Sequence, residues 1–139
     1  FPVESELRED LAYQLAAEGK AAEADRAWEQ ASRLAPFNGV YLWRRAQIAA
    51  TRADWGAAEA FMARALELEP GFLDGRVLHA EALHRLGRTA EARAELAAVE
   101  RAARETVRPA SSDYDERLVS FDAGEFARTA ALIGRARKP

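Results

Sequence analysis

Apolar residues recur three and four positions apart in runs about 12 to 16 residues long, the spacing that places them on one face of an α-helix. A longer period of 34 residues overlies this one: Pro36 and Pro70 are that far apart, and so are Ala24, Ala58 and Ala92. Further columns at the same offset are Ala12, Ala46 and Ala80; Trp28, Met62 and Leu96; and Ala31, Ala65 and Val99. Gly19, Ala53 and Gly87 mark a turn that splits each repeat into two helical runs. Small residues repeat where two helices must approach closely, so each repeat reads as a helical hairpin. The breaks and the capping residues predict helices at about 5–18 and 21–34, 39–52 and 55–69, and 73–86 and 89–104, with Asn38 and Asp54 as N-caps.

The period slips at 105–111, where Pro109 and small polar residues predict a loop. Beyond it, Ser112 with Asp115 and Asp122 with Glu125 have capping-box spacing, predicting helices at about 113–121 and 123–137. Phe126, Ala130 and Ile133 would form the apolar stripe of the last one. The expected organisation is a single domain over 1–139, all-α, with repeats at about 5–38, 39–72 and 73–106 and a degenerate capping hairpin at about 112–137.

Composition strengthens the helical reading. The 139 residues include 33 alanines against 12 β-branched residues, and 49% are hydrophobic and 31% charged, a balance suited to one folded domain. A net charge of −3 argues against nucleic acid as the main partner, and no apolar run is long enough for this segment to insert directly into a membrane. The absence of cysteine excludes a disulfide framework, a thiolate metal site and a cysteine nucleophile. Because the first residue is Phe1 rather than Met, the chain is expected to be a segment of a longer protein. The 18 arginines to 2 lysines and the alanine excess match a GC-rich bacterial genome, and the compartment stays open between a bacterial cytoplasm and periplasm, including as part of a larger membrane protein.

The second repeat, with Leu42, Ala46, Ala49, Asp54-Trp55, Ala58, Met62, Ala65 and the run Leu66 to Pro70, resembles the tetratricopeptide repeat (TPR) family. The first and third repeats match through Leu11, Leu15, Glu23-Ala24 and Trp28, and through Leu83, Leu86-Gly87-Arg88, Glu91-Ala92 and Leu96. Arg45 and His79 depart from the pattern, standing in a column where the family usually carries leucine. The resemblance implies a right-handed superhelix of antiparallel helix pairs whose first helices line a concave groove for peptides or partner proteins. One subclass grips the terminal carboxylate of chaperone tails with lysines and asparagines. Here the matching positions hold Glu9, Tyr13, Arg44, Asp74 and Leu78, so that clamp is missing. More weakly, Phe1-Pro2 and the stretch from Tyr114 to Asp122 are similar to the TPR tails of bacterial O-antigen ligase or polymerase membrane proteins.

Catalytic chemistry is not signalled. His79 and His84, with Glu81 between them, are five residues apart, which turns one side chain about 140° from the other and spoils a shared metal site. The serines have no neighbouring histidine to act as base, and the eight glycines form no phosphate-binding pattern. No catalytic residue, metal site or cofactor is therefore expected. The groove is the expected site, with Tyr13, Trp43, Gln47, Val77, Glu81, His84 and Arg85 as partner-binding residues, Trp43 serving as apolar anchor. The expected function is a non-catalytic module binding a protein or peptide segment, with a soluble extramembrane domain of a polysaccharide-assembly membrane protein as the alternative.

Overall fold

The computed structural model describes residues 2–105 and 121–135, and all regular structure among them is α-helical. The helices are α1 (Pro2–Ala17), α2 (Ala21–Leu34), α3 (Gly39–Thr51), α4 (Trp55–Leu68), α5 (Leu73–Arg85), α6 (Thr89–Glu105) and α7 (Ala123–Arg135). The expected loop over 105–111 and the expected helix over 113–121 lie, but for their ends at Glu105 and Phe121, outside the described residues. The first helix starts earlier than its apolar pattern predicts, at Pro2, whose fixed φ suits a first helical turn that has no use for its N–H.

Capping sets the helix starts. Asn38 Oδ1 accepts the Val40 N–H at 3.0 Å, Asp54 Oδ1 the Ala57 N–H at 3.2 Å, and Asp122 Oδ1 the Glu125 N–H at 3.0 Å. Within each hairpin the turn repeats with the sequence. The N–H groups of Lys20, Asp54 and Arg88 donate to the carbonyls of Leu15, Ala49 and Leu83 at 2.9, 2.9 and 2.8 Å, the closure of a left-handed helix C-terminus. Gly19 and Gly87 take the positive φ this needs, at +77° and +84°, and Ala53 adopts +57° in the same place without glycine's freedom.

The hairpins α1–α2, α3–α4 and α5–α6 stack in order, and α7 lies against α5 and α6. The alanine columns Ala12, Ala46 and Ala80, and Ala24, Ala58 and Ala92, are fully buried, which lets the helix axes come close. Bulk enters at Trp28, Met62, Leu96 and Phe72, each buried. Gly75 serves one particular close approach: a Cβ there would lie 2.7 Å from Met62 Cε and 2.9 Å from the Phe72 ring.

The leucine column broken by Arg45 and His79 is bridged by ions between successive hairpins. Arg45 donates to both oxygens of Asp25, at 2.9 and 3.2 Å, and His79 Nε2 meets Glu59 Oε2 at 2.9 Å. In each pair a first helix reaches back to the second helix of the preceding repeat. The equivalent residue of α1, Leu11, has no such helix before it among the described residues and is 39% exposed.

Candidate functional site

The concave side is built by α3, α5 and α7, which enclose a cavity of about 420 Å³. From α3 come Trp43, Gln47 and Thr51, four residues apart and therefore on one helical face. From α5 come Asp74, Val77, Leu78 and Glu81, and from the start of α7 come Glu125, Arg128 and Thr129, preceded by the cap residue Asp122. A larger hollow of about 680 Å³ lies at the outer seam of α1 and α2, lined by Glu4, Leu7, Arg8, Gln30, Arg33 and Leu34. Only two helices form it, and Leu7 is 62% exposed, so it is an open furrow at the end of the stack. The concave cavity, where three helices converge polar and aromatic groups, is the better candidate.

Trp43 is half-buried, and its position is held from two sides. Its ring meets Phe72 edge-on at 5.1 Å, and the Arg44 guanidinium stands 4.5 Å from its centroid. Arg44 ties the floor together by donating to Gln47 Oε1 and to the Tyr13 hydroxyl, both at 3.0 Å. Tyr13 in turn packs edge-on against Trp28 at 4.9 Å. The aromatic ring at the cavity is thus pre-positioned, which lowers the ordering cost of a contact made there.

The third repeat is less open than its sequence predicts. Val77 is buried, packed with Leu73 and Val99 and bordered by Phe121 and Phe126, because α7 closes over that part of α5. Glu81 is buried by the same helix and accepts from Arg128 Nη2 at 2.7 Å, with Arg85 Nη2 at 3.5 Å. The Glu81 and Glu125 carboxylates raise the Arg128 pKa, Glu81 contributing most, so this cation stays charged at any ordinary pH. His84 turns to the α5–α6 connection, where Nδ1 lies 3.0 Å from the Thr89 hydroxyl, and Arg85 turns to Trp55, 5.2 Å from its ring centroid. Of the expected groove residues, Trp43, Gln47, Val77 and Glu81 therefore line the cavity, Tyr13 adjoins it through Arg44, and His84 and Arg85 lie outside it.

Sequence reasoning missed the α7 wall formed by Asp122, Glu125, Arg128 and Thr129. Its apolar stripe was legible, but which neighbour its polar face would oppose was not, because the segment joining α6 to α7 falls outside the repeat period. Asp74 of α5 faces this wall through its contact with Asp122. Burial raises its pKa, and the charges of Asp122 and Glu125 add to that, while the hydrogen bond from the Asp122 N–H at 2.8 Å works against it. No group of three or more His, Cys, Asp or Glu side chains is placed to hold a metal ion among the described residues. No helix among them is long and apolar enough to cross a membrane.

Helical hairpins on a 34-residue period, stacked with one concave face, define a helical-repeat solenoid. Residues 49–111 match the family model of the tetratricopeptide repeat, and the chain has the tetratricopeptide-repeat superhelical fold. The first TPR of Spaghetti (RPAP3), solved bound to the HSP90 peptide SRMEEVD, is 15% identical with a TM-score of 0.77, over 98% of this chain and 94% of its own. The TPR2B domain of yeast Sti1, in a complex with pHsp70, is 18% identical with a TM-score of 0.79, over 97% and 99% of the two chains. The Sgt2 TPR domain from Aspergillus fumigatus is 19% identical with a TM-score of 0.71, over 98% and 85%. No curated protein matches the sequence.

Proposed function

We propose that this chain is a non-catalytic interaction module that binds an extended or helical segment of a partner protein in the cavity between α3, α5 and α7. The observation that carries this reading is Trp43, a half-buried ring clamped by Phe72 and Arg44 at the wall of a concave cavity. Large aromatics placed this way supply a disproportionate share of interface energy. The fold supports the same class of partner, since the similar Spaghetti domain was solved bound to an HSP90 peptide and the Sti1 domain in a complex with pHsp70. The particular partner must differ. Glu9 and Asp74 stand where the chaperone-tail subclass is basic, and a carboxylate there repels an acidic terminus. Both histidines are engaged in structural contacts, His79 with Glu59 and His84 with Thr89, which fits a binding role better than acid–base work.

The test uses peptides selected on the protein from a random-peptide phage library. Affinities of about micromolar are expected, because a short segment must be ordered on binding. Trp43→Ala should weaken the best synthetic peptide by about 2 kcal/mol, read by fluorescence anisotropy, while the helical circular dichroism persists. Undiminished binding by the variant would place the anchor elsewhere.

A further inference from the structure

We propose that the concave cavity selects a basic side chain, lysine or arginine, from the bound segment, seated against Asp74 and Asp122; this rests on the segment-binding reading above. Four carboxylates line the cavity, Asp74, Glu81, Asp122 and Glu125, against one guanidinium, Arg128. Arg128 is already committed, donating to Glu81 at 2.7 Å and to Glu125 at 3.0 Å. Asp74 and Asp122 have no cationic partner among the described residues. Asp74 Oδ1 accepts the Asp122 N–H at 2.8 Å, and Asp122 Oδ1 accepts the Glu125 N–H at 3.0 Å, so both carboxylates are held in place by backbone with no cationic side chain paired to them.

A second, separate feature of the same wall points the same way. Thr129 is fully buried and lines the cavity, yet among the described residues its hydroxyl has no hydrogen-bond partner, where a buried hydroxyl ordinarily has one. An ammonium or guanidinium group is a donor with several hydrogens and no acceptor capacity, so it suits a wall that carries carboxylates and an unpaired hydroxyl. The cavity also has an apolar lining, Val77 and Leu78 one turn along α5 from Asp74 and the Trp43 ring on α3, which accommodates the methylene stem that such a side chain carries. Burial of Asp74 with its like-charged neighbours raises its pKa, a cost that an incoming cation relieves and an acidic segment worsens.

The experiment is the phage selection above, followed by synthetic peptides measured by anisotropy. Lysine or arginine should be enriched among selected sequences, and replacing that residue by norleucine should weaken binding about tenfold. The double variant Asp74→Asn, Asp122→Asn keeps both hydrogen-bond acceptors and removes the like-charge repulsion at Asp74, so it should melt no lower than the parent. It should bind the basic peptide about tenfold more weakly and no longer distinguish it from the norleucine version. Peptides that lack basic enrichment, or that bind the double variant equally well, overturn the proposal. If Trp43→Ala still abolishes their binding, segment binding in the groove stands and only its charge preference falls. If that variant also binds them unchanged, or no peptide is selected, both readings fall.

Discussion

Arg45 and His79 replace leucine without opening the stack, because each finds a carboxylate on the preceding second helix, Asp25 and Glu59. For His79 the exchange carries a pH dependence. Burial resists its protonation, but Glu95 and Glu59 together outweigh that, leaving its pKa above the ordinary 6.5. Glu59 approaches Nε2 at 2.9 Å, whereas Glu95 lies 3.4 Å from Nδ1 at ion-pair distance without hydrogen-bond alignment. Arg88 and Arg76 pair with the same two glutamates, at 3.3 and 3.0 Å. With the folded pKa raised, the contribution of His79 to stability is complete below about 6.5 and is lost as pH rises through the folded value. Melting temperatures measured across that window should fall with rising pH in the parent and fall less in His79→Gln. Parallel curves would show that His79 does not titrate as described.

Between helices, the stack depends on side chains too small to keep axes apart. Ala49 of α3, Ala58 of α4 and Ala82 of α5 meet in one cluster, with Ala58 fully buried, so three helices from two hairpins converge on methyl groups. Ala58→Leu adds volume where no neighbour can retreat and should cost about 1–3 kcal/mol in chemical denaturation. An unchanged denaturation midpoint would mean that α4 can shift and that the repeat register is softer than the packing indicates. Gly75 shows the same logic at α5, where the Met62 and Phe72 side chains already occupy the space of a Cβ.

The end of the stack is closed by α7, which lays Ile133 and Phe126 over Leu83 and Leu96 and adjoins Val77 and Val99. Each inner hairpin buries two faces against neighbours, so a terminal hairpin needs a helix that is apolar on one side and polar on the other. The same helix neutralises Glu81, whose side chain is only 6% exposed and whose strongest partner is Arg128. A chain ending at Glu105 should therefore expose Val77, Leu83, Leu96 and Val99 and leave Glu81 with only the Arg85 guanidinium, 3.5 Å away, of its two cationic partners. The expected result is retained far-ultraviolet circular dichroism, dye binding to exposed apolar surface and a broadened thermal transition. A truncated chain that melts cooperatively and binds no dye would show that the third hairpin does not need α7.

The helices, their turns and their packed columns were legible in the linear chain because a repeat writes each contact several times. Ala24, Ala58 and Ala92 are all fully buried, and Gly19, Ala53 and Gly87 all adopt positive φ, as one recurring geometry demands. Asn38 and Asp54 were readable as caps because a cap acts within a few residues of its helix. Helical spacing put Trp43 and Gln47 on one face of α3, and the family resemblance implied that this face is concave; both residues line the cavity. Tertiary structure alone decided what happens where the period stops. The partner of Glu81 is 47 residues away at Arg128, and no local rule predicts that pairing. Likewise Asp74 and Asp122 meet only because α7 folds back onto α5, which turns an open third repeat into the wall of an acidic cavity. Local hydrogen bonding and helical spacing are properties of neighbouring residues, whereas the charge balance of a cavity depends on which distant helix closes it.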